Sequence, residues 1–166
     1  MKDASGLLDA LAGGWQLSGI FRYRSGLPSS VAYTGIWVTN WSFSGLAFPK
    51  GPYNAKLQLN NNGNPALFPT TASSAANWES QFPGDVGPRA VVRLDGYKNA
   101  DLALTKSFRM LGLSNQRMEV RIEAFNAFNW VNFTNIALDA NSPNSFGQFT
   151  QAAPPRVFQF ALRYQF

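Results

Sequence analysis

Arg117, Glu119, Arg121 and Glu123 stand at every second position of one short stretch. Alternate side chains of an extended strand share a face, so these four would form a ladder of alternating sign. Two chemistries could use it. One is a charged inner wall that contacts a plug or a polar substrate. The other is a solvated face whose neighbours neutralise each other, and it is favoured because exposed ion pairs are individually worth little. Glu119 and Glu123, or Asp95 and Asp101, could also be offered as an acid–base pair. Arginines interleaved with the glutamates would keep both ionised, the opposite of a pair tuned to different pKa values. The chain has no cysteine and no histidine. Disulfides, thiolate chemistry, cysteine or histidine metal sites and histidine triads are therefore excluded. No enzyme activity, metal or cofactor is expected.

Aromatic side chains are the other candidates. They make up 14% of the chain, while charged residues reach only 14%, against about 25% in ordinary soluble domains. Trp37, Trp41 and Trp78 fall in a long stretch of broken pattern, where they could contact a ligand. The net charge of +5 could suggest nucleic acid. The cations do not cluster, however: Arg22 and Arg24, Arg117 and Arg121, and Arg163 are spread over separate patterned segments. A phosphate-binding stripe would gather them on one surface, so no nucleic-acid partner is expected.

The elements that would position these groups are strands. At the carboxyl end Phe158, Phe160, Leu162, Tyr164 and Phe166 alternate with Gln159, Ala161, Arg163 and Gln165. One face of such a strand is oily and the other wet. Both a lipid-facing strand and the last strand of a soluble sandwich fit this segment. The same rhythm runs through Gln116 to Ala124 and Asn99 to Met110, with Lys106 falling on the apolar side, near a rim where it can snorkel. Met118, Ile122 and Phe125 also have helical spacing, but the strict alternation from Arg117 to Glu123 favours a strand. Trp15, Leu17, Phe21 and Tyr23 share a face in the first segment, with Ile20 as the exception. After Ser25-Gly26-Leu27-Pro28, either a hairpin turn or a bulge is open. A hairpin would leave Ser29 to Thr34 too short to span a bilayer, which takes about 9–11 residues, so one strand over residues 14–34 is expected. No window approaches the roughly 18 apolar residues of a spanning helix.

Residues 35–96 carry six prolines and the run Asn60-Asn61-Asn62-Gly63-Asn64-Pro65. Their aromatic content argues against full disorder. A partly ordered surface loop touching ligand or neighbouring loops is expected. Asn126 to Phe133 alternates Asn with aromatics, as at a membrane interface. Residues 1–13 read as a linker or a helical turn without the features of a signal peptide, so export would require a segment upstream.

Four strands then follow, at about residues 14–34, 97–110, 116–128 and 156–166. The first and third links are long and the second is short. In an up-and-down sheet this puts long loops at one end and a tight turn at the other, the arrangement of outer-membrane barrels. The expected fold is all-β: antiparallel up-and-down strands forming an incomplete part of a large transmembrane β-barrel, with a long irregular extracellular loop. The competing expectation is a soluble β-sandwich that binds carbohydrate through Trp37, Trp41 and Trp78.

Four stretches, in order, resemble the carboxyl-terminal barrel of TonB-dependent outer-membrane receptors, particularly the Oar-like group. They are Gly14 to Ile20 with Ser25 to Pro28; Asn99-Ala100-Asp101-Leu102-Ala103-Leu104-Thr105-Lys106-Ser107-Phe108; Arg121 to Asn129, with Phe125-Asn126-Ala127-Phe128-Asn129; and Phe146-Gly147 with Pro154-Pro155-Arg156 and the terminal strand. The resemblance implies a bacterial outer-membrane location and a barrel of about 22 strands with a plugged lumen. It implies active uptake of a bulky nutrient powered through TonB, which would be contacted by a plug this chain lacks. In such a barrel the ladder of Arg117, Glu119, Arg121 and Glu123 is expected to face the lumen. Phe158, Phe160, Leu162, Tyr164 and Phe166 would be the signal read by the barrel-assembly machinery. The remaining partners would be outer-membrane lipid and the rest of the barrel. Four strands cannot close, since about eight is the smallest single-chain barrel, so the chain is expected to be a fragment that does not transport alone.

Overall fold

The computed structural model describes residues 12–36, 42–82, 84–109 and 116–166. The elements, in chain order, begin with β1 (Trp15–Arg24), β2 (Pro28–Ser29), β3 (Ala32–Ile36), β4 (Ser42–Leu46) and β5 (Phe48–Pro49). Next are β6 (Gln58–Leu59), β7 (Pro65–Ala66), the helix α1 (Ala72–Ala76), β8 (Trp78–Glu79) and β9 (Val92–Arg93). Then come β10 (Tyr97–Arg109), β11 (Arg117–Phe125), β12 (Phe133–Ile136), β13 (Phe149–Ala152) and β14 (Val157–Gln165). The chain divides into two compact units, one of residues 1–23, 98–130 and 154–166, the other of residues 24–97 and 131–153.

The first unit is built on a four-stranded sheet in the order β1-β10-β11-β14. β11 is antiparallel to both neighbours, with Ile122 opposite Leu104 on one side and Phe160 on the other. β1 is antiparallel to β10 as well. Gly14 accepts a hydrogen bond from the Ser107 amide, while Gly19, farther along β1, lies against Leu102, earlier in β10. These strands are 10, 13, 9 and 9 residues long. A tilted bilayer-spanning strand needs about 9–11. β1 leads to β10, and β11 to β14, through the long links; both links leave and return at the end of the sheet where Phe125 faces Val157. The short connection from β10 to β11 joins the opposite end, where Arg109 faces Arg117.

The expected single strand over residues 14–34 is interrupted. β1 ends at Arg24, and the next segments pair elsewhere, β2 with β9 and β3 with β4. Gly26 marks the break. A Cβ there would sit 1.7 Å from the Leu94 carbonyl oxygen, so only glycine lets the two backbones come this close.

The second unit contains residues 35–96, expected as an irregular loop. It is ordered by four short antiparallel pairings and α1, and the 131–153 link adds the β12–β13 pair. The two links are knitted together by backbone bonds: Ala32 donates to Leu138, Ala140 to Ala32, and Leu67 to Gly147. Asp139 accepts from the Thr34 and Asn141 amides at 3.1 and 3.0 Å, and the Thr34 hydroxyl bonds its other oxygen. The asparagine run is a tight turn between β6 and β7. Its organiser is Asn60, whose side-chain oxygen accepts from the Asn62 and Asn64 amides.

Among the described residues the hydrophobic core lies in this second unit. Val31, Leu67, Phe68, Trp78, Val92 and Phe146 are buried in it, and Phe68 stacks on Phe146 with centroids 5.2 Å apart. Gly147 has φ +75°, and a Cβ there would meet the Phe68 ring at 2.5 Å, so it both turns the chain and makes room for the stack.

Candidate functional site

Register decides what each face of the four-stranded sheet presents. Leu104, Ile122 and Phe160 form one cross-strand row; Lys106, Val120 and Leu162 form the next; Phe108, Met118 and Tyr164 the third; Leu102, Ala124 and Phe158 the fourth. Trp15, Leu17, Phe21 and Tyr23 extend this face across β1. Among the described residues nothing covers it: Phe158 is 54% exposed, Phe160 72% and Leu162 69%. A soluble sandwich would need these side chains packed against a second layer. An uncovered apolar surface of this extent calls for an apolar partner.

Aromatic rings mark both ends of that face. At the end reached by the short connection are Trp15 and Phe108, with Tyr164 and Phe166 at a centroid distance of 6.1 Å. At the other end Trp130 meets Phe21 edge-on at 5.9 Å and Phe128 at 4.9 Å. Amphipathic rings in two belts bracketing an oily band are what the two edges of a bilayer favour. Lys106, expected near a rim, is buried on the apolar face between Trp15 and Phe108, its ammonium 5.0 and 5.3 Å from their centroids. That ammonium donates to the Gly13 carbonyl, so the charge is led toward the start of β1 and its stem covers apolar surface.

The opposite face carries the charge ladder. Glu119 lies across from Ser107 and Arg163, Arg121 from Thr105 and Ala161, and Glu123 from Ala103 and Gln159. Arg121 Nη2 reaches Glu123 Oε1 at 2.7 Å. The pair runs along the strand between same-face neighbours, and Arg121 remains exposed. Ile20 is the apolar exception on this face of β1 and is also exposed.

The sequence reading quoted Asp101, Asn126, Asn129 and Arg156 in its motifs but missed how they act together. β11 ends in a turn in which Asn126 and Asn129 adopt φ +49° and +53°. Asparagine tolerates this left-handed region better than other non-glycine residues. The Asp101 carboxylate accepts from the Asn126 amide at 3.0 Å, Asn99 Nδ2 at 2.8 Å and Arg22 Nη2 at 2.7 Å. Asn126, itself buried, accepts from the Trp130 amide and donates to the Trp130 carbonyl. The Asn129 side chain accepts from the Arg156 amide at 3.0 Å, just before β14 begins. Thus β1, β10, β11 and β14 are tied at the end of the sheet where the long links start. The signal in the sequence was the pair of asparagines directly after a strand, which marks a turn. It does not continue the alternation expected over Asn126 to Phe133.

Among the loop aromatics, Trp78 is buried in the core of the second unit beside Tyr53, at 4.9 Å between centroids. Trp37 and Trp41 lie outside the described residues. No group of three or more acidic metal-ligating side chains occurs among the described residues.

A family model described as an outer membrane beta barrel domain matches residues 1–159 of the chain. No curated protein and no solved structure matches it.

Proposed function

The chain belongs to the outer membrane beta barrel domain family, and on that premise we propose that it supplies the carboxyl-terminal strands of a TonB-dependent receptor for active uptake of a bulky nutrient. As a member of that family it is a protein of the bacterial outer membrane. The observation that carries the finer reading is the sorting of the links: 24–97 and 131–153 at one end of the sheet, 110–116 at the other. Large external link regions suit capture of a ligand from outside. The ordered resemblance of four stretches to the Oar-like group supports the same assignment.

In this reading the apolar face meets outer-membrane lipid, and Arg117, Glu119, Arg121 and Glu123 face a lumen occupied by a plug. Further strands close the wall, since among the described residues the sheet ends at β1 and β14. TonB would act through the plug, and β14 would be the strand engaged by the barrel-assembly machinery. The protein is a transporter part and not an enzyme; Asp101, once offered as an acid, is occupied by three donors.

The test is the continuous reading frame upstream of Met1, followed by crosslinking. The reading requires an in-frame plug and export signal. It also requires that a photocrosslinker replacing Thr105, on the ladder face, captures the plug, while one replacing Leu104 captures lipid. A frame without a plug, or lipid capture from both positions, overturns it.

A further inference from the structure

We infer that the sheet binds a phosphorylated lipid of the outer leaflet at its long-link end, through Lys98 and Arg156. The inference rests on the reading that the apolar face meets outer-membrane lipid, and not on uptake.

Strand parity puts both cations on that face. Lys98 lies in β10 in step with Leu102 and Leu104, and it is exposed. Arg156 stands directly before β14, in step with Phe158 and Phe160. Its guanidinium carbon lies 5.4 Å from the centroid of the outward Phe158 ring, so its head is placed on the oily side. The carboxylates of the sheet go the other way: Asp101, Glu119 and Glu123 have the parity of the ladder face. An anion at the long-link end of the apolar face therefore meets cations without a like charge beside them.

The two ends of this face differ. At the short-connection end the cation is Lys106, which is buried and donates to the Gly13 carbonyl. At the long-link end Lys98 and Arg156 are both exposed. Long links mark the external side of an outer-membrane barrel, so these cations stand at the external headgroups. The rings of Phe21, Phe128 and Trp130 gather at the same end and fix the level of the hydrocarbon boundary.

The chemistry names the ligand. Arginine presents a planar fork that matches phosphate oxygens, and lysine a compact charge. The Arg156 fork is oriented in advance: Nη1 donates to the Ala127 carbonyl at 3.3 Å, and the backbone amide is held by Asn129. Lys98 and Arg156 stand two strands apart, roughly 10 Å across the sheet. That span suits a headgroup carrying more than one phosphate. Acyl chains deliver such a headgroup to this face and pack on Phe158 and Phe160, which a soluble phosphate cannot do.

The test uses the full 166-residue chain in non-ionic detergent micelles. Diphosphorylated lipid A is titrated, and bound lipid is counted by native mass spectrometry. The diphosphorylated lipid should bind saturably, and its dephosphorylated form at least about tenfold more weakly. Lys98→Gln and Arg156→Gln should each weaken binding about fivefold. Arg156→Lys keeps the charge without the fork, should weaken it about twofold, and serves if Arg156→Gln misfolds. Lys56→Gln makes the same charge change on the second unit and should leave affinity unchanged. Excess inorganic phosphate should not compete. Equal binding of the dephosphorylated lipid, displacement by inorganic phosphate, an equal loss in Lys56→Gln, or full affinity in the folded Lys98 and Arg156 variants overturns the site. A chain that stays monodisperse in plain buffer overturns it one step earlier, at the lipid-facing reading itself.

Discussion

The two units of this chain treat the same residue types in opposite ways. In the sheet unit, Leu17, Phe160 and Leu162 face outward, each more than two-thirds exposed. In the unit formed by the long links, Leu67 and Phe146 are essentially inaccessible. Among the described residues the sheet unit has hardly any apolar interior; the buried positions there are Asn99, Ala100, Ala103, Lys106 and Asn126. The link unit has the interior of a small water-soluble domain. The difference teaches that oily side chains follow the solvent each unit meets. The sheet is organised for hydrocarbon on one face, and the links fold by excluding water from their own centre.

The comparison breaks most visibly in the link core. Phe146→Ala should cost the second unit about 3–5 kcal/mol, because it removes a fully buried ring and its stacking partner for Phe68. Hydrogen exchange should report the loss in residues 131–153 while β11 and β14 keep their protection. A matching loss in the sheet would mean that the two units are one cooperative structure.

Next in size is a charge on the oily face. Leu162→Arg should destabilise the bilayer-inserted protein by about 2–4 kcal/mol if the residue sits near the midplane. Ala161→Arg, one position away on the ladder face, should change little. Urea titration in lipid bilayers compares the two, and equal costs would erase the distinction between the faces.

The turn that closes β11 should be intermediate. Asn126→Ala leaves alanine, which tolerates the left-handed region less well than asparagine, at φ +49° without the side-chain bonds to Trp130. The loss should be about 1–3 kcal/mol, and Asn126→Gly should recover the backbone part alone. Refolding yield into micelles and denaturant midpoint would show it.

The smallest effect is expected at the ladder. Arg121→Ala breaks a single pair with Glu123 at an exposed position and should shift stability by about 0–1 kcal/mol. A larger loss when a plug domain is present than in this chain alone would sharpen the proposal that the ladder touches a plug.

Much of the sheet was legible from the order of residues. Alternation at Arg117 to Glu123 and Phe158 to Phe166 is a local property: a strand sends neighbouring side chains to opposite faces whatever it pairs with. The long and short links could be counted directly. The broken pattern of residues 35–96 was read as a loop because most of its pairings are only two residues long and it is held by contacts far apart in sequence, such as Leu67 with Gly147. The break after Arg24 was missed for a related reason. Gly26 tolerates a bulge within a strand or a close approach to Leu94, and only the position of Leu94 decides between them.

What the sequence determined by itself was the two-faced sheet and its sidedness, because side-chain alternation and link length need no partner to be read. The tertiary structure alone decided that Trp78 lies in a core, that Asp101 holds Arg22, Asn99 and Asn126, and that the two long links share one interior. Those arrangements depend on which distant segments meet, and burial and hydrogen-bond satisfaction are settled only once they have met.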